Sequence, residues 1–537
     1  MCNGYRYIYK AINMWYNKLD DNRPYPYTRM EKRRVWSVSS MYYKQNPDQE
    51  TIEDFFLPFG GKLRADNRWI KLSNMMPWDK IEEVYSERMS EDNGRRAIPS
   101  RVAFCACYIK QYEKLSDERT PEAIAENPYM QYFAGLHEFK TEPLFDSSMM
   151  VHFRKRFPVN FVADVNEYIC TGKWPENSRD VDRNHDDHGR GGGTSEPELP
   201  EAESTAHCGK LILDATVAPA DIKYPTDIDL LNKCREYLES ALDIIWPLVP
   251  HDGHKLPYNP KKARKSYLNI SKAKKWTKAK LSKGIADQLR CIELARARLQ
   301  QLLILCPAAI DKFPSWLRKR LQVVPLVYEQ QKEMFVNNKR SCENRIVSTE
   351  QPHVRPIVRG KRPEPTEFGQ KLHLSVVDGY VYLEQTSWNS FIESGDLKTC
   401  VAEYYRRFGC YPEAILADKI YQTKENRKFC KRLGIRLSGP ALGRKSREQS
   451  ELEKKQMYKD SCERNWIEGK NGLAKRRYGL DLIMSKLDEN AKTEAAFALL
   501  VMNASRKLRE LLSYLFQAVD VFGLFGCSNL DRLFVPS

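Results

Sequence analysis

The sequence predicts an α/β domain with a five-stranded mixed sheet flanked by helices, interrupted by a mostly helical insertion and preceded by an all-α region. Three observations carry this reading. Two stretches, LILDATVAP and EAILADKIY, each place an aspartate, Asp214 and Asp418, at the end of an apolar, strand-like run. Between residues 371 and 439 a hairpin pattern gives way to alternating helix and strand patterns, as an α/β sheet requires. Ahead of these, residues 1 to about 175 repeat apolar positions at three- and four-residue spacing, the period of an amphipathic helix.

At 537 residues the chain exceeds one simple core, and two to four domains are expected. Apolar residues at 42% suffice for globular cores, and Lys plus Arg number 87 against 71 Asp plus Glu, a net charge of +16. That excess fits a polyanionic partner such as nucleic acid. No apolar stretch reaches spanning length, so a membrane partner is not expected. The start, MCNGYRYIYKAINMW, lacks the apolar core and cleavage site of a secretory signal, and a cytoplasmic protein with access to DNA is expected. Fourteen Cys are scattered, with only Cys105 and Cys107 close together, and reduced, mostly buried thiols are expected. His185 and His188 fall in RDVDRNHDDHGRGGG, a solvated linker composition.

In chain order, residues 1–50 form a tyrosine-rich, basic N-terminal extension, and 51–175 a helical N-terminal DNA-binding domain. Within it, two helices are separated by SDERTP, with Ser116 or Thr120 as cap, Pro121 in the first turn and Gly135 at the exit. Such a pair suits a helix-turn-helix and equally a plain bundle. Residues 176–207, rich in Gly, Pro, Glu and Ser, read as a disordered linker. The first strand lies in 208–217, the insertion in 218–370, the rest of the α/β domain in 371–480, and C-terminal helices in 481–537. Inside the insertion, residues 255–283 hold eleven Lys or Arg and no acidic residue, interleaved with Tyr258, Tyr267 and Trp276. A basic run is usually only a solvated face. Without any carboxylate, and with aromatics between, this one favours contact with phosphates and stacking on unpaired bases. Its candidate phosphate contacts are Lys261, Lys262, Arg264, Lys265, Lys272, Lys274 and Lys275.

After the insertion, KLHLSVVDGYVYLEQTS reads as a hairpin turning at Asp378-Gly379. Helix LKTCVAEYYRRFG, strand EAILAD, helix KENRKFCKRLG, strand IRLSGP and a long helix through RNWIEGKNGLAK follow. Without the insertion this is the element order of an RNase H-like domain. A lone Asp at a strand end is usually a turn or a cap, but in an α/β sheet it can face the ligand crevice. On the long helix, Arg464 lies four residues before Glu468, Asn471 three after and Lys475 seven after, so all four share one face. An exposed salt-bridged stripe is the plain alternative. Against it stand Gly469 and Gly472, each costing about 1 kcal/mol inside a helix. They make sense where another backbone or a DNA strand comes close. Trp466, Arg476, Arg477 and Tyr478 flank the run.

These segments resemble the bacterial insertion-sequence DDE transposases, over roughly residues 50–175 and 208–515. The family's third segment is Tyr, two residues, Arg, three residues, Glu, six residues, Lys. Arg464, Glu468 and Lys475 match it, while Ser461 stands at the Tyr position. Asp418-Lys-Ile-Tyr421 resembles the family's Asp-x-Gly-Tyr, with Ile420 for Gly. PTEFGQKLHLSVVDGYVYLE and RLSGPALGR look like the branch with a long insertion between the first two acids. The resemblance implies that Asp214, Asp418 and Glu468 are catalytic and hold two Mg²⁺ ions, with Mn²⁺ able to substitute. It implies that Arg464 and Lys475 grip phosphates. It also implies cleavage and strand transfer at terminal inverted repeats of double-stranded DNA, by a homodimer in the active complex. Alternatives are an RNase H-like nuclease without strand transfer and an inactive, transposase-derived DNA-binding protein. Trp388 and Trp466 suit packing better than stacking on a displaced base. His353, in QPHVRPIVRGKRP beside Arg355 and Arg359, is a phosphate contact or a loop histidine without a role.

The basic run yields a first prediction. Neutralising four of its lysines is expected to flatten the dependence of log affinity for DNA on log salt by roughly 3–4, at about 0.9 per phosphate contact. Binding titrations across a salt series measure it, and an unchanged slope refutes the contact.

Overall fold

A computed structural model describes residues 55–58, 61–89, 97–176, 180–182, 206–250, 254–275, 277–358, 366–440 and 447–521. The N-terminal extension, most of the linker with His185 and His188, and Trp276 and Arg359 lie outside the described residues. Among the described residues seven helices come first: α1 (Arg68–Ser73), α2 (Trp78–Ser86), α3 (Ser100–Glu113), α4 (Arg119–Glu126), α5 (Pro128–Phe133), α6 (Met149–Arg156) and α7 (Val159–Thr171). Helix α3 is small and apolar on every side (VAFCAC), and Ser100 through Gln111 are buried. Trp69 packs tilted against Phe133 at 5.4 Å, and the buried Arg101 lies 4.2 Å from the Trp78 ring and donates to the Phe133 carbonyl at 2.9 Å. The single second helix expected after SDERTP is broken. Ser116 Oγ accepts from Arg119 N at 3.2 Å to start α4, and Asn127 with Pro128 stops it and caps α5.

Strand β1 (Lys210–Pro219) opens the sheet. Four helices separate it from the next strand: α8 (Asp227–Ile245), α9 (Pro260–Ser271), α10 (Lys278–Leu305) and α11 (Ser315–Val336). Thr226, Asn259 and Thr277 cap the first three. Leu231, Cys234, Leu242, Ile292, Leu299, Val324 and Val327 give these helices a core of their own. The chain then returns through β2 (Arg355–Val358), β3 (Thr366–Val377) and β4 (Tyr380–Ser387). Asp378 and Gly379 both adopt positive φ, 49° and 79°, as a two-residue hairpin turn demands. Helix α12 (Leu397–Phe408), β5 (Ala414–Leu416), α13 (Lys424–Arg432) and β6 (Arg436–Leu437) follow, then α14 (Arg447–Tyr478) and α15 (Asp488–Val521).

The sheet is mixed, with order β2-β3-β1-β5-β6 and β4 also paired to β3. Among the described residues it has six strands rather than the five expected, because the residues before β3 add the short strand β2 to its start. Strand β1 runs antiparallel to β3 and parallel to β5, and β5 runs parallel to β6. At Gly369 the backbones come so close that a Cβ would strike the Ala218 carbonyl. Cys208 and Cys410 are disulfide-bonded, which corrects the expectation of reduced thiols throughout. The β1–β5 pairing brings their Cα atoms to 6.2 Å although 202 positions separate them.

Helix α15 joins the helical region to the sheet. Its first half, with AAFALLVM, is buried all round. Asn503 on α15 donates to the Val381 carbonyl of β4 at 2.6 Å and accepts from Val381 N at 3.1 Å. On its other side Glu494 pairs with Lys110 of α3 at 2.6 Å, both buried. Helix α7 is tied to the sheet by Glu167, which accepts from Arg407 at 2.9 Å while Arg407 pairs with the buried Glu384 of β4 at 2.6 Å. Removing one partner of a buried pair strands the other charge. Lys110→Met is therefore expected to destabilise the protein by about 3–5 kcal/mol. Urea unfolding followed by circular dichroism tests this, and a loss below about 1 kcal/mol would contradict a buried role for the pair.

Candidate active site

Asp214 does not end its strand. It sits mid-way along β1, because antiparallel pairing with β3 continues to Pro219. What ends near it is the parallel ladder to β5, whose last pair is Ile212 with Leu416. Asp214 and Asp418 each lie two residues beyond that pair on their own chains, so the register sets them side by side where the strands part. Such an opening at the carboxyl end of a parallel pair is where α/β sheets receive ligands. Beyond β5 the chain turns through a 3₁₀ segment, Lys419–Tyr421, and the exposed Asp418 carboxylate caps it by accepting from Lys419 N at 2.7 Å.

The third acid arrives on α14. That helix buries Asp460, Ile467, Asn471, Ala474 and Tyr478, a stripe at helical spacing, against the sheet and α15. Three contacts fix it over the β1–β5 opening. Lys210 Nζ of β1 meets Glu463 at 2.6 Å, Arg436 of β6 grips Asp460 with two bonds of 2.6 and 3.0 Å, and Asn471 Nδ2 donates to Asp214 Oδ2 at 3.3 Å. Glu468 stands at the edge of the stripe with its side chain 57% exposed, and Arg464 Nη2 lies 3.7 Å from it. Lys475 follows two turns on along that face, half-buried.

Burial raises the Asp214 carboxyl above the ordinary aspartate value; its own Ala215 N–H opposes this, and among nearby charges Glu393 and Glu468 raise it while Arg464 lowers it. Glu393 was not anticipated from sequence. It precedes α12, pairs with Lys371 Nζ of β3 at 2.8 Å and accepts from Tyr421 Oη at 3.4 Å. Tyr421 in turn meets the buried His373 Nε2 at 2.8 Å. The available signal was Lys371 and His373, two polar side chains alternating with Leu372 and Leu374. The three acids thus share one opening but do not converge: among the described residues no group of three or more His, Cys, Asp or Glu is close enough to hold a metal ion. Asp418 is turned to its own backbone and Glu468 toward Arg464.

The remaining candidates lie apart from the acids. Lys261, Lys262, Arg264, Lys265, Lys272, Lys274 and Lys275 are exposed on α9 and the connection to α10. Tyr258 and Tyr267 are not presented for stacking, because their hydroxyls donate inward to Glu239 at 2.9 Å and Asp229 at 2.7 Å. No protein backbone packs on Gly469 or Gly472: a Cβ at Gly469 would meet nothing within 4 Å, and one at Gly472 only the Arg476 side chain. Trp388 is a packing residue, donating to Asp488 at 2.7 Å and lying 4.5 Å from the His353 ring. Burial there depresses His353 to about 4, which leaves it neutral at pH 7. Trp466 is 61% exposed. A cavity of about 400 Å³ lined by Arg88, Arg154, Asn160 and Lys492 includes none of the acids.

Residues 58–156 match the family model of a transposase domain (DUF772), and residues 415–505 match that of the transposase DDE domain. The second match spans Asp418, Arg464, Glu468 and Lys475; Asp214 lies outside it. No curated protein and no solved structure matches the chain. The two domains class the protein as a transposase, a DNA-processing enzyme. Their combination supports an insertion-sequence DDE transposase. No described helix is long and apolar enough to cross a membrane.

The raised Asp214 carboxyl has a consequence for stability. The folded chain holds this proton at pH values where the unfolded chain has lost it. Stability from this group is therefore present at low pH and lost as pH rises from the ordinary value near 3.9 through the raised folded one. Asp214→Asn is expected to melt at higher temperature than the parent at pH 7 in EDTA, with the gain vanishing below about pH 4. Calorimetry across pH checks this, and a pH-independent gain would reject it.

Proposed function

We propose that the protein catalyses Mg²⁺-dependent cleavage and strand transfer of double-stranded DNA at the terminal inverted repeats of an insertion sequence. The single observation that carries this is the register that sets Asp214 beside Asp418 while Asn471, one turn from Glu468, touches Asp214. The antiparallel β3–β1 and parallel β1–β5–β6 arrangement supports reading the sheet as RNase H-like. In that reading residues 208–217 and 371–480 form the catalytic domain, 218–370 a basic insertion that grips DNA, and 51–175 a DNA-binding domain.

Asp214, Asp418 and Glu468 would hold the divalent ions. The fit rests on all-oxygen donors, on the repulsion that Glu393 and Glu468 exert on Asp214, and on a buried Asn471 Oδ1 without a partner among the described residues. When bound, such ions polarise the phosphate and favour a deprotonated attacking oxygen. The chain's own residues position and neutralise. Arg464 offers a two-pronged fork to a phosphate once released from Glu468, and Lys475 a point charge further along the helix. The lysines of α9 hold the flanking backbone. Two transposon ends and a target must meet, for which a homodimer on DNA is the simplest assembly.

Asp214→Ala, Asp418→Ala and Glu468→Ala are each expected to abolish cleavage and joining of labelled inverted-repeat ends in Mg²⁺ while leaving end binding within about threefold. Normal cleavage by Asp418→Ala would overturn the assignment. Cleavage without joining by the parent would favour an RNase H-like nuclease, and binding with neither step an inactive descendant. Ser461 at the family's Tyr position is the feature that favours that last outcome.

A further inference from the structure

Asn471 is out of place by the ordinary logic of a helix. On α14 it belongs to the stripe with Ile467 and Ala474, both fully buried, and is itself only 9% exposed. An amide in such a position needs partners for both ends. Its Nδ2 has one, the Asp214 carboxylate at 3.3 Å. Its Oδ1 has no hydrogen-bond partner among the described residues. The orientation is not arbitrary, because a carboxylate accepts and must face the NH₂ end of the amide. The unpartnered oxygen belongs to the same amide that touches Asp214, on a residue one helical turn from Glu468.

Taking the acid centre as proposed above, we infer that Asn471 is a fourth side chain of that centre. Its amide N–H steadies Asp214, and its carbonyl oxygen joins the ligand shell of the divalent ion. The chemistry is apt on two counts. Amide oxygens are hard donors of the kind that complete carboxylate sites for divalent ions. A neutral donor also adds coordination without a further negative charge, where Glu393 and Glu468 already press on Asp214. A side chain that both orients a ligand and faces the metal typically changes metal affinity about 10- to 100-fold when removed.

The test uses the full chain without DNA and the free-ion electron paramagnetic resonance signal of Mn²⁺. Asn471→Leu, close in volume and lacking the oxygen, and Asn471→Ala are expected to weaken Mn²⁺ binding at least about tenfold. Asn471→Asp is expected to stay within about tenfold of the parent and to make binding fall more steeply as pH drops. A purely structural amide would show neither the recovery nor the new pH dependence. Melting curves in EDTA accompany each variant, so that if Asn471→Leu or Asn471→Ala fails to fold, Asn471→Asp still decides. Binding by Asn471→Leu and Asn471→Ala within twofold of the parent, with Asp214→Ala losing it, overturns the role of Asn471 and leaves the acid centre standing. Parent and Asp214→Ala binding Mn²⁺ equally poorly overturns both.

Discussion

Everything about the candidate site depends on one pairing, the short parallel ladder between β1 and β5. Parallel neighbours cannot be joined by a tight turn and need a crossover. Here the chain leaves β1 at Pro219, builds four helices, returns through a three-strand excursion and α12, and only then lays down β5. The ladder is three pairs long, Lys210 with Ala414 through Ile212 with Leu416. Such a contact does not stand alone. Its base is clamped by the Cys208–Cys410 disulfide and by Cys208 N donating to the Tyr411 carbonyl at 2.9 Å. Its far side is held by the long antiparallel β1–β3 ladder. Slip the register by one residue and Asp418 would turn to the opposite face from Asp214, since side chains alternate along a strand.

The third acid is delivered by a different strategy. Glu468 rides a 32-residue helix that must be aimed, and the aim comes from polar contacts placed along its length: Asp460 to β6, Glu463 and Asn471 to β1. Below the site, α15 serves both halves of the molecule. One side meets β4 through Asn503, the other meets α3 through Glu494. The helical region is therefore part of the support for the sheet, and a change in α3 such as loss of Lys110 is felt beneath the acids.

Much of this was legible in sequence because it rests on local pattern. The Asp378-Gly379 turn, the order of helices and strands after it, and the shared face of Arg464, Glu468, Asn471 and Lys475 all follow from periods of two and 3.6 residues. What escaped rests on distance in sequence. Cys208 and Cys410 look unrelated until the ladder joins them, and β2 exists only because β3 extends far enough to receive it. Asp214 looked like a strand end because apolar residues thin out there; the strand continues since β3 supplies its pairing, not its own side chains. Glu393 lies in a polar loop, SFIESGD, with nothing local to mark it; Lys371 and Tyr421 give it meaning. Gly469 and Gly472 are not explained by packing within the chain. Their cost to the helix is real, yet nothing packs where a side chain would go, and the structure supplies no physical account of them.

The separation of the acids follows from charge. Burial is the main reason the Asp214 carboxyl is raised, and the charges of Glu393 and Glu468 add to it across a partly desolvated opening. Each neighbouring acid has a partner of its own: Glu393 holds Lys371, Glu468 leans toward Arg464, and Asp418 caps its own turn. Two of these are weak. The Arg464–Glu468 contact is long and half exposed, worth at most about 1 kcal/mol, and an aspartate capping a short 3₁₀ turn gains about as much. In the proposed function Asp418 and Glu468 would leave these weak contacts to hold the divalent ions, and Arg464 would then be available to a phosphate. In the proposed reaction, then, binding the metal and arming the DNA grip are one electrostatic event, and Asn471, already on Asp214, is the side chain around which that rearrangement closes.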